Sequence, residues 1–68
     1  MQYVLLVHRA EEGGYWAEVP ALPGCFAQGE SLDELVADAR EAIASHLEAL
    51  REAGQPEPEE LLLATVAV

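Results

Sequence analysis

Ser31-Leu32-Asp33-Glu34 is a helix-start signal, and the residues after it leave little choice of structure. A serine followed three residues later by glutamate forms a capping box. The Ser31 hydroxyl accepts from the Glu34 N–H, while the Glu34 carboxylate reaches back to the Ser31 N–H. Asp33 and Glu34 in the first turn and Arg51 in the last suit the helix dipole. Leu32, Leu35, Val36, Ala39, Ile43, Leu47 and Leu50 step by three and four, the period of one apolar helix face. Gly54 is a C-terminal stop, and Pro56 and Pro58 prevent resumption. The spacing therefore predicts one amphipathic helix of about 22 residues, roughly 33 Å long at 1.5 Å per residue.

Such a helix must bury its stripe against something, and the residues before it read as strands. Gln2–Arg9 is aromatic and β-branched, too short for a stable helix, and apolar on both faces. Ala10-Glu11-Glu12-Gly13-Gly14 is a turn, because Gly-Gly supplies the positive φ of a hairpin connection. Tyr15–Val19 alternates as a second strand. Pairing Val7 with Ala17 places Tyr3, Leu5, Val7, Tyr15, Ala17 and Val19 on one face, and Val4, Leu6, His8, Trp16 and Glu18 on the other. Pro20 and Pro23 cannot donate to a ladder, and Pro23-Gly24 favours a tight turn. Cys25–Gln28 forms a short third strand, ended by Gly29. Gln55–Glu60 reads as a linker and Leu61–Val68 as a fourth strand.

The expected architecture is α+β, ordered β-β-β-α-β: an antiparallel sheet with one long amphipathic helix packed on one face. Strands of five to eight residues span only about 17–27 Å. The helix is therefore expected to overhang its sheet, exposing Leu47 and Leu50.

Sixty-eight residues are expected to form a single domain, residues 1–68, with a thin stability margin. A lone Cys25 excludes an internal disulfide, and His8 and His46 stand far apart, so no metal or cofactor is expected. Self-association into a dimer or tetramer is the remaining route to stability. No signal peptide and no run of about 20 apolar residues is present, so the expectation is a cytoplasmic protein without a membrane partner.

Charge narrows the function. Thirteen acidic residues face three arginines, for a net charge of −10. That balance repels phosphate backbones and attracts basic proteins, so direct nucleic-acid binding is not expected. Two-metal hydrolysis needs carboxylates converging from neighbouring strands, and only Glu18 lies within an expected strand. Cys25 lacks an adjacent base in sequence and reads as a small buried hydrophobe. Trp16 and Phe26, if both point away from the helix, form an aromatic patch of the interface type.

The run from Gly13-Gly14-Tyr15 through Pro20-Ala21-Leu22-Pro23-Gly24-Cys25 and Gln28-Gly29 to Glu30-Ser31-Leu32-Asp33-Glu34 resembles the HicB-like antitoxin family. The helix continues the likeness with Val36-Ala37-Asp38-Ala39-Arg40-Glu41-Ala42. The resemblance implies a partial ribonuclease-H-like fold without enzymatic activity, neutralising a small basic mRNA-cleaving toxin of HicA type. Many family members add a C-terminal DNA-binding segment. This chain ends at Val68 without one, so operator binding is not expected of it.

On that reading the contact centre is Tyr15, Trp16 and Phe26, with Glu11, Glu12 and Glu18 on its rim. Pro23, Gly24, Gly29, Ser31 and Glu34 are structural. The alternative is an orphan oligomeric binding module with a partner other than a toxin; a ribonuclease-H-type enzyme is a third and distinct class.

Overall fold

The computed structural model describes residues 2–58. Three strands, β1 (Leu6–Arg9), β2 (Tyr15–Glu18) and β3 (Phe26–Gly29), precede one helix, α1 (Leu32–Glu52). The strands form an antiparallel sheet in the order β1-β2-β3. This is the expected α+β meander and helix. The expected fourth strand, Leu61–Val68, lies outside the described residues.

Val7 pairs with Ala17 and Ala17 with Ala27, so the expected register holds. Because side chains alternate along a strand, that register places Val7, Ala17 and Ala27 on the helix side. Leu6, Glu18 and Phe26, and beside them His8, Trp16 and Gln28, occupy the outward side. The first strand is shorter than expected, starting at Leu6 rather than Gln2, and the third runs one residue later, through Gly29.

The core divides in two. Ala17 and Ala27 meet Leu35 and Ala39 of α1, with Leu5 and Tyr15 packed alongside. Here the residues are small, and the helix comes close to the sheet. A Cβ built on Gly29 would fall on the backbone N of Leu35 and 2.8 Å from the Glu34 carbonyl carbon. Only glycine lets the first turn of α1 sit directly on the end of β3. The residue does more than end a strand: it sets the distance between sheet and helix.

The second cluster joins Val19, Leu22 and Cys25 to Ala42, Ile43, Leu47 and Leu50, with Tyr3 and Leu5 at its edge. This corrects the expectation that the helix overhang leaves Leu47 and Leu50 exposed. The segment between β2 and β3 covers them. It consists of two successive turns, Leu22 N–H to Val19 O at 2.9 Å and Cys25 N–H to Leu22 O at 3.0 Å. A Val19 N–H to Cys25 O bond of 3.1 Å closes its base. Pro23 followed by Gly24 at φ 86° is the pairing a type II turn demands. Leu22, fully buried, is driven inward by these turns. Strand length alone could not reveal this cover, because the covering residues are not in a strand.

The helix ends are built largely as the sequence requires. Ser31 Oγ accepts from Glu34 N–H at 3.2 Å. The Glu34 carboxylate accepts not from Ser31, as expected, but from the Glu30 N–H at 2.9 Å, so the box closes one residue earlier. At the other end Gln55 N–H reaches Leu50 O (2.9 Å) and Gly54 N–H reaches Arg51 O (3.1 Å), with Gly54 at φ 71°. These are the two bonds of a Schellman motif. The helix lies over β2 and β3 and not over β1. Val7, on the helix side of β1, and Leu32 and Val36 of the helix stripe are consequently exposed.

Candidate partner-binding face

The outward sheet face follows from strand parity. Every second residue of three four-residue strands projects from it, and the register sets them in two rows: Leu6, Glu18, Phe26, and His8, Trp16, Gln28. Phe26 is 59% exposed, Leu6 47% and Trp16 37%. An aliphatic and two large aromatic side chains thus stand open on one small surface. Apolar groups held in water in this way mark interaction surfaces more often than scattered exposure does.

The face is ordered internally. His8 stacks on Trp16, ring centroids 4.2 Å apart and planes 20° apart. Trp16 and Phe26 are inclined at 49° with centroids 6.4 Å apart, within the range of favourable aromatic pairs. Glu18 lies between Leu6 and Phe26 in its row, and its Oε2 is 3.5 Å from His8 Nε2. That is an ion-pair distance only when His8 is protonated, and Nε2 makes no hydrogen bond. With both groups more than a third exposed, solvent screening leaves the pair little energetic weight.

The expected contact residues separate into three places. Trp16, Phe26 and Glu18 come together on the outward face. Tyr15 does not join them: odd-numbered residues of β2 face the helix, and Tyr15 packs half-buried against the Ala17–Ala27 cluster. Glu11 and Glu12 stand exposed in the β1–β2 turn, which is closed by Gly13 N–H to Ala10 O and Ala10 N–H to Gly14 O. Leu6 and His8 join the face although the motif did not single them out; the strand pairing was the signal for them. Asp38 also belongs nearby. It reaches from α1 around the sheet edge to accept the Gln28 N–H at 2.8 Å, and no feature of local sequence announces that contact.

Burial pushes the Cys25 thiol above its ordinary value, which disfavours the reactive thiolate. Among the described residues no group of three His, Cys, Asp or Glu side chains converges as a metal site. No described helix is long and apolar enough to cross a membrane.

Comparison with known proteins places this arrangement. The family model described as "HicB_like antitoxin of bacterial toxin-antitoxin system" matches residues 3–67. The chain belongs to the HicB-like antitoxin family. A UPF0150 protein of Thermoplasma acidophilum is 38% identical over 58 residues, covering 85% of this chain and 84% of that protein. The crystal structure of the N-terminal domain of the Burkholderia pseudomallei antitoxin HicB is similar, with a TM-score of 0.75 and 34% identity. The match covers 96% of this chain and 74% of that one. A chain from a HicA3 and HicB3 toxin-antitoxin complex matches with a TM-score of 0.73 and 33% identity, covering 88% of this chain and 69% of that chain. The HicB-like likeness thus spans the sheet, the double turn and the helix together.

Proposed function

We propose that this chain binds and neutralises a small, basic, mRNA-cleaving toxin of HicA type, acting by surface complementarity and not by catalysis. The observation that carries the proposal is the structural match to a chain from a HicA3 and HicB3 complex, joined to family membership along residues 3–67. The charge supports it: a net −10 accelerates capture of a basic protein and opposes direct binding of nucleic acid. The outward face supplies the apolar centre such an interface needs in Leu6, Trp16 and Phe26, with Glu18 among them and Glu11 and Glu12 at its margin.

A dimer or tetramer is part of this reading, in keeping with the exposed Leu32 and Val36 of the helix stripe and the short chain. Sedimentation at low and high salt tests that component. The function itself is tested by co-expression with a basic protein encoded beside it. The expected result is a salt-sensitive complex that suppresses the partner's mRNA cleavage. Unchanged cleavage in the presence of folded chain would contradict the proposal.

A further inference from the structure

Between the outward sheet face and the β3 edge of the described sheet lies a cleft of about 280 Å³, lined by Trp16, Phe26, Ala27, Gln28 and Asp38. Its walls are aromatic. His8 of β1 stacks on Trp16 at 4.2 Å, while the Phe26 ring of β3 is inclined to the indole at 49°. Its foot is a carboxylate. Asp38 is fixed there by accepting the Gln28 N–H at 2.8 Å, and a carboxylate that accepts one hydrogen bond retains capacity for more.

This lining selects its occupant by chemistry. An anion meets Asp38 and no cation. An apolar side chain would fill the wedge but strip water from Asp38 without replacing its hydrogen bonds, which is unfavourable. A lysine ammonium satisfies the carboxylate but is a compact, strongly hydrated charge that gains less from flat aromatic walls. A guanidinium satisfies both, because it stacks on indole and phenyl faces and donates from its edge to a carboxylate. Of the chain's own arginines, Arg51 already pairs with Glu57 at 2.8 Å, and the net charge of −10 draws a basic partner to this cleft more strongly than a second acidic copy.

We propose that the Trp16–Phe26 cleft, with Asp38 at its foot, takes an arginine side chain of the basic protein partner. The inference rests on the proposed function only in taking that partner to be a basic protein. The cleft then anchors the interface at the edge of β3, where an aromatic pair and a charge meet, the type of position at which a few residues dominate binding.

The test is a titration of the full chain with a peptide of alternating arginine and glycine and with its lysine counterpart of equal length. It is followed by amide and indole NMR shifts at low salt. The arginine peptide is expected to move the Trp16 indole and Gln28 amide signals and to bind about fivefold tighter than the lysine peptide. Phe26→Leu should abolish that preference, and Asp38→Asn should weaken the binding of both peptides. Equal binding of both peptides with shifts centred on Glu11 and Glu12 would overturn the proposal, as would a preference that survives Phe26→Leu or binding unchanged by Asp38→Asn. A toxin complex indifferent to both substitutions would also overturn the cleft while leaving the proposed function standing. An arginine preference in a chain that forms no complex with a toxin would support the cleft and count against the toxin reading alone.

Discussion

The two faces of the sheet are built in opposite ways. On the helix side the central residues are Ala17 and Ala27, small and almost wholly buried. On the outward side the residues next to them in sequence, Trp16 and Phe26, are the chain's single tryptophan and single phenylalanine, and both are exposed. A chain this short would be expected to bury its largest apolar groups for stability. Its sheet centre buries alanines instead, against Leu35 of the helix. Small residues, together with Gly29, let α1 lie directly on the sheet, so packing there depends on closeness and not on bulk. The two large aromatic side chains stand open to solvent. The difference teaches that, on the proposed function, stability and recognition are divided between alternate residues of the same strands.

That division can be broken experimentally. Leu35→Ala should have the largest effect on stability. Leu35 is fully buried among Ala17, Ala27 and Ala39, and truncation should cost about 2–5 kcal/mol, read as a lowered midpoint in urea unfolding. Ala27→Leu attacks the same seam from the opposite direction. It forces added methylenes between β3 and the helix and should cost about 1–3 kcal/mol by the same assay. A neutral result would mean that the close approach is not required. Ser31→Ala removes the acceptor of the Glu34 N–H and should cost about 1 kcal/mol, with Ser31→Asp restoring most of it. At the far end of the scale, Phe26→Ser should change stability by no more than about 0.5 kcal/mol, since its ring is mostly in water. Its effect should appear in partner binding instead.

Much of this contrast was legible before any coordinates. Period-two alternation fixed which residues of β2 share a face once Val7 was set opposite Ala17, and the period of three and four fixed the helix stripe. The capping signals located both helix ends because they act over three or four residues. What sequence could not show were contacts between distant segments. The cover over Leu47 and Leu50 comes from a double turn rather than a strand, so arguments from strand length missed it. The exposure of Leu32 and Val36 depends on where the helix crosses the sheet, which its own period does not encode. Tyr15 was expected among the contact residues although its parity sets it on the helix side. Asp38 was unmarked because its partner, Gln28, lies across the β3–α1 connection, on the sheet edge.

Recognition by the outward face is the central claim, and amide-shift mapping of the isotopically labelled chain on binding the proposed basic partner tests it most directly. The account predicts changes concentrated at Leu6, His8, Trp16, Glu18, Phe26 and Gln28, with Ala17, Ala27 and Ala39 little altered. Changes confined to the exposed side of α1, around Ala37, Glu41 and Glu48, with the Trp16 and Phe26 signals unmoved, would contradict it.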